Sequence, residues 1–139
     1  MKLHRGRLID HLHLVAADLD KSKRFYRAVL ETLGLELQIE WEHAFACDEL
    51  FISDAEFTHG ASTAPHKVHL AFQAPDRETV ERAYRAGLEA GGKDHGAPGL
   101  RRYHPGYYAG FLLDPDGNNV EVVFHGPARR SAASVLIEF

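Results

Sequence analysis

Two stretches of this chain alternate apolar and polar residues at a period of two, then pass into stretches with helical periodicity. Leu8–Val15 and Lys67–Gln73 alternate as half-buried strands do. Asp18 and Asp76 follow at the positions where helix N-caps belong. Leu19–Leu33 and Arg77–Ala90 carry helix-forming residues, with apolar positions such as Phe25, Val29 and Leu33 on one face. Gly34 and Gly91-Gly92 stand where helices end.

The two stretches are copies of one unit. A shift of 58 residues aligns His11–Gly34 with His69–Gly92 without a gap, and eleven of twenty-four positions are identical. Ordinary residue frequencies would give roughly one or two, so the unit is duplicated. Further strands are expected after each helix: Leu35–Trp41, His43–Cys47 and Glu49–Asp54 in the first half, Tyr107–Leu113 and Asn118–His125 in the second. Asp114-Pro115-Asp116-Gly117 is a hairpin signal between the last two. Lys93–Gly106, rich in glycine and proline, reads as a loop. The expected organisation is one domain over residues 1–139. Module one spans about 7–56, a polar linker 57–66, module two about 67–126 and a basic-then-apolar tail 127–139.

Alternation sorts the side chains by face. In the opening strand Leu12 and Leu14 share one face and His11 and His13 the other. In its copy Val68, Leu70 and Phe72 oppose His69, and in the last strand Val120, Val122 and Phe124 oppose Asn119 and Glu121. Each strand has an aliphatic face for packing, and the other faces carry His11, His69 and Glu121. Two imidazoles and a carboxylate suit one divalent metal ion, Zn, Fe, Mn or Ni. Three protein ligands leave positions for water or substrate, the arrangement of a catalytic rather than a structural site.

Composition narrows the partners. The net charge of −4 gives no basic footprint for nucleic acid. No apolar run reaches membrane-spanning length and no signal-peptide pattern is present, so a cytoplasmic location is expected. The single Cys47 excludes an internal disulfide and reads as a small buried residue. Ten histidines are many, but His4, His43, His59, His66, His95 and His125 have no placement that singles them out.

Three segments resemble the vicinal oxygen chelate superfamily, which includes glyoxalase I, fosfomycin-resistance thiol transferases, extradiol dioxygenases and bleomycin-binding proteins. Ile9-Asp10-His11-Leu12 through Asp18-Leu19 and Ser22 to Phe25-Tyr26 is similar to its opening strand and helix. Val68-His69-Leu70-Ala71-Phe72 resembles its second histidine strand, and Phe111 to Glu121 its closing hairpin, which ends on a glutamate ligand. The resemblance implies an α+β fold of two tandem βαβββ modules forming a curved mixed sheet around a cup-shaped site. It also implies a metal at His11, His69 and Glu121. Glyoxalase I adds a fourth ligand on the strand mirroring that of Glu121. Here the matching positions are Phe51 and Ser53, neither a good ligand.

Other candidates surround that set. Tyr107, Tyr108 and His104 are candidate acid–base or substrate-orienting groups. His13, Phe51, Ser53, Arg101 and Arg102 are candidate pocket residues, the arginines for an anionic group. The leading expectation is a metal-dependent enzyme that chelates a small oxygen-bearing substrate for Lewis-acid catalysis, with isomerisation, lyase chemistry, thiol addition and dioxygenation all open. The alternative is a metal-free protein that sequesters a small molecule. A homodimer is expected, with modules paired within or across subunits.

Overall fold

The computed structural model describes residues 2–5, 11–57, 67–127 and 135–138. In chain order the elements are β1 (Lys2–Arg5), β2 (Leu12–Val15), α1 (Leu19–Thr32), β3 (Ile39–Trp41), β4 (Ala44–Cys47), β5 (Leu50–Ser53), β6 (His69–Gln73), α2 (Arg77–Glu89), β7 (Lys93–Leu100), β8 (Tyr108–Leu113), β9 (Asn119–Phe124) and β10 (Val135–Glu138). They belong to two compact units, the first drawn from within residues 1–19, 36–64 and 129–139, the second from within 20–35 and 65–128.

The first unit holds a four-stranded mixed sheet in the order β2-β5-β4-β3, with β2 parallel to β5 and the other pairs antiparallel. The two-stranded ladder β1–β10 belongs to the same unit. Every residue of β4 is buried, and Phe45 of β4 and Ile52 of β5 are among the largest fully buried side chains. Cys47 is buried, and burial pushes its thiol up to about 12, so it stays a protonated packing residue.

The second unit repeats the topology as β6-β9-β8-β7, with β6 parallel to β9. Asp76 caps α2 by accepting from Thr79 N at 2.7 Å. The core joins Phe25, Tyr26, Val29 and Leu30 of α1 to Val80 and Ala83 of α2 and to Leu112, Val120 and Val122 of the sheet. Gly87 permits this approach: a Cβ there would collide with Leu112 Cδ1 and stand 3.1 Å from Val29 Cγ2. Asp114 organises the turn before β9. It accepts from the backbone N–H groups of Asp116 and Asn118, from Asn118 Nδ2 and from the buried Tyr26 hydroxyl at 2.6 Å. Burial and the facing carboxylate push the Tyr26 phenol well above its ordinary range, so it remains a donor.

Several expected boundaries differ. Lys93–Leu100, read as loop, is a strand. It survives Gly96, Pro98 and Gly99 because it lies at the sheet edge, where a missing N–H costs no ladder bond and register shifts absorb the irregular residues. The stretch Leu35–Trp41 forms a strand only over Ile39–Trp41. Residues 135–138, expected as tail, form one antiparallel ladder with residues 2–5, from the far end of the sequence. The expected strand residues 8–10, linker residues 58–66 and tail residues 128–134 and 139 lie outside the described residues.

Candidate functional site

Parallel pairing of β6 with β9 sets the centre of the second unit. His69 stands opposite Asn119 and Ala71 opposite Glu121, so the His69 and Glu121 side chains are diagonal neighbours on one face. His69 Nε2 lies 2.8 Å from Glu121 Oε2, with the imidazole half exposed and the carboxylate 5% exposed. A carboxylate this buried requires partners for both oxygens. Tyr107 supplies the second, its hydroxyl donating to Oε1. Desolvation and that carboxylate push the Tyr107 phenol well up, which keeps its proton in place as a donor.

Asn119 supports the imidazole from behind, with Nδ2 3.2 Å from His69 Nδ1. Its Oδ1 is the buried side-chain atom left without a hydrogen-bond partner among the described residues. With the amide nitrogen on Nδ1, the His69 proton sits on Nε2 and is donated to Glu121. A half-turn of the amide lets Oδ1 accept from Nδ1–H and leaves the Nε2 lone pair available.

The 2.8 Å between Nε2 and Oε2 is a hydrogen-bond separation, and imidazole and carboxylate are the side-chain types that bind divalent transition metals. Among the described residues no group of three or more His, Cys, Asp or Glu side chains is placed to hold a metal ion. His69 and Glu121 are thus a two-donor set within the second unit, and His11 belongs to the first.

The neighbouring candidates separate by face. Tyr108 donates to Glu81 of α2 at 2.7 Å beneath the Arg77 guanidinium, so it anchors the helix while Tyr107 serves Glu121. His104 donates from Nδ1 to Pro105 O at 3.0 Å, and its Nε2 accepts from His125 Nδ1–H at 2.9 Å. Both rings contact Tyr107 edge-on at 5.2 Å, so they wall the phenol rather than touch Glu121. Arg101 donates to Ala97 O at 2.6 Å and covers the Phe111 ring, whose edge faces His69 at 6.2 Å. Arg102 is exposed.

In the first unit His11 and His13 line a cleft of about 280 Å³ with Ile39, Ala46, Asp48, Phe51 and Phe57. Ser53 Oγ donates to Asp54 O at 3.1 Å, so the 2.8 Å contact with His13 is donated by His13 Nε2. Loss of water on one side of the ring, then the neighbouring His11, lower the His13 pKa and favour the neutral form. In the register of β2 with β5, His13 faces Phe51. His13 is the repeat partner of Ala71, which faces Glu121, so Phe51 occupies the position that mirrors Glu121. The nearby Asp54 is engaged by His43 Nδ1 at 2.8 Å and by Phe57 N at 3.0 Å.

Sequence reasoning missed three features. Trp41 and Phe57 close an aromatic cluster on Phe51, Asn119 backs His69, and His104 pairs with His125. Period-two spacing puts Trp41 on the face of Ile39, a signal that could have found it, whereas Phe57 falls in the expected linker.

Residues 8–122 match the family model described as Glyoxalase/Bleomycin resistance protein/Dioxygenase superfamily. None of the curated proteins matches the chain. Among solved structures, a glyoxalase/bleomycin resistance protein from Albidiferax ferrireducens T118 is 26% identical, with a TM-score of 0.69 over 84% of this chain and 97% of that one. A lactoylglutathione lyase from Agrobacterium tumefaciens is 25% identical, with a TM-score of 0.61 over 85% and 93%. A glyoxalase-related enzyme from Fulvimarina pelagi, 18% identical, shares the fold at a TM-score of 0.69 over 94% and 98%.

Proposed function

Because the chain belongs to the Glyoxalase/Bleomycin resistance protein/Dioxygenase superfamily, we propose that it is a metal-dependent enzyme acting on a small oxygen-bearing substrate, with His11, His69 and Glu121 as the ligands of one divalent ion. The superfamily includes enzymes such as lactoylglutathione lyase, commonly uses a divalent metal and commonly forms dimers. The observation that carries the reading is the nearly buried Glu121 carboxylate held between Tyr107 and His69. Burial of a carboxylate beside an imidazole edge costs stability, and a ligand role accounts for its retention.

When bound, the ion supplies Lewis-acid polarisation of two chelated substrate oxygens. The chain's own groups do the rest. Tyr107 orients Glu121 by holding Oε1, so that Oε2, beside His69 Nε2, would be the oxygen left to hold the ion. Asn119 sets the His69 tautomer by rotating its amide. His11 completes the set from the first unit, and we place the protein as a homodimer whose modules pair within or across subunits.

The test is metal analysis of protein prepared without chelator, followed by titration with Zn, Fe(II), Mn and Ni. About one ion per chain is expected, lost in His69→Ala and in Glu121→Ala. A chain that neither carries nor takes up metal overturns the proposal.

A further inference from the structure

The second unit gathers positive charge that neither its core nor the metal reading uses. A cleft of about 580 Å³ is lined by Lys21 and Arg24 of α1, Lys67 just before β6, Lys93 at the start of β7 and the Asp114–Gly117 turn. All of these residues lie within one compact unit. The chain as a whole carries a net charge of −4, yet in this cleft four cations meet two carboxylates. Asp114 is 4% exposed, and its oxygens are taken by Tyr26, Asn118 and the turn amides, which leaves Asp116. Helix capping does not account for the cations either. The last four carbonyls of α2 are already occupied: Ala86 O accepts from Ala90 N, Gly87 O from Gly92 N, Leu88 O from Gly91 N, and Glu89 O from Arg24 Nη2 at 3.2 Å. Among the described residues no ion pair engages Lys67 or Lys93. Lys67 Nζ lies over Gly117, where a Cβ would stand 2.6 Å from it.

We infer that this cleft binds a small molecule bearing a di- or triphosphate group. Folding brings its cations together from three separate stretches of the chain, and like charges so gathered repel unless an anion joins them. A concave surface lined by one sign of charge focuses its field on a counter-ion of the other. Three ammonium groups and a guanidinium are donors suited to phosphate oxygens. Cations spread over several walls are met better by a chain of phosphates than by a single carboxylate or sulfate. The volume falls within the range of small-molecule sites. The charge is also no by-product of duplication. The shift of 58 residues sets Lys21 against Thr79, Lys67 against Ile9 and Lys93 against Leu35, and keeps only Arg24, as Arg82. The inference goes beyond the proposed function and does not depend on it, since His69, Tyr107 and Glu121 are not part of the lining.

The test is calorimetric titration of full-length protein, stripped with chelator and desalted, with tripolyphosphate, citrate and sulfate at equal ionic strength. One tripolyphosphate per chain is expected, bound about tenfold more tightly than citrate or sulfate. Lys67→Gln and Lys93→Gln, both at exposed side chains, are each expected to weaken it about fivefold, and the double variant about twentyfold or more. Arg85→Gln, an exposed cation of α2 outside the cleft, is expected to leave it within about twofold. An ATP titration identifies the source. Affinity no higher than that of tripolyphosphate assigns the site to the phosphate chain alone. Tighter binding assigns it to a nucleotide-like molecule whose organic part lies along Leu113 and Pro115. Because polyphosphates also chelate metal ions, the titration is repeated on Glu121→Ala. Binding retained there supports the basic cleft, and binding lost there puts the anion at the metal centre and overturns the inference. So does an absence of binding, citrate or sulfate as tight as tripolyphosphate, or a double variant no weaker than Arg85→Gln.

Discussion

The two sheets share one topology and differ in what they place at equivalent points. Where β5 presents Phe51 to His13, β9 presents Glu121 to Ala71. One copy buries a carboxylate between an imidazole and a phenol; the other encloses a cleft with aromatic rings. The hairpins differ too. The first turns tightly through Asp48, which adopts a positive φ of 46°, and the second spends a longer turn folded around buried Asp114. Duplication supplied two backbones of one kind, and side-chain substitution gave one a buried carboxylate–imidazole pair and the other a cleft walled by aromatic rings.

The turns should differ most. Asp114→Ala strands several buried donors at once, the Tyr26 hydroxyl among them, and is expected to cost about 3–5 kcal/mol. Asp48→Gly relieves a positive φ while losing a half-exposed side-chain bond, so a change within about 1 kcal/mol is expected. Denaturant unfolding of both variants measures this. Equal losses would show that the second turn has no special hold on its unit.

Next comes the carboxylate itself. Glu121→Ala is expected to weaken metal binding by more than ~100-fold, in line with the loss of a protein ligand. Asp54→Ala and Glu49→Ala, at the ends of the mirroring strand, are expected to change it less than about twofold. Metal titration decides, and a large loss in either mirror variant would break the register that puts Phe51 opposite His13. Smaller effects belong to the groups behind the ligands. Tyr107→Phe and Asn119→Ala are each expected to weaken metal binding by ~10-fold, while Tyr108→Phe, bonded to Glu81, leaves it unchanged.

The smallest effect is confined to the first unit. The hydrogen bond from His43 to Asp54 raises the histidine above its ordinary 6.5 and lowers the aspartate below its ordinary 3.8. The raised histidine stabilises the fold fully below about pH 6.5 and loses that contribution as pH rises through its folded value. The depressed aspartate contributes above about pH 3.8 and loses its share as pH falls through its folded value. The pair therefore helps most between those limits. Stability of His43→Gln, followed through Trp41 emission from pH 5 to 8, should show a shallower decline than the parent. An unchanged slope would remove the pair from the account.

The amino-acid sequence by itself determined the duplicated strand–helix unit, the helix ends at Gly34 and Gly91, the Asp114 turn, and the faces that carry His69 and Glu121. Each of these depends on contacts or periodicities a few residues apart, so each leaves a local trace. It did not reveal β7, because glycine and proline punctuate a loop and an edge strand alike, and only the free edge beside β8 tells them apart. It did not join the chain ends, since β1 and β10 carry no local sign of each other. Nor did it choose Tyr107 over Tyr108 for Glu121: adjacent residues on a strand face opposite ways, and the register of β8 with β9 and the packing of α2 decided which phenol met the carboxylate. Pairings between distant segments come from chain reversal and close packing, and those exist only once the backbone has folded.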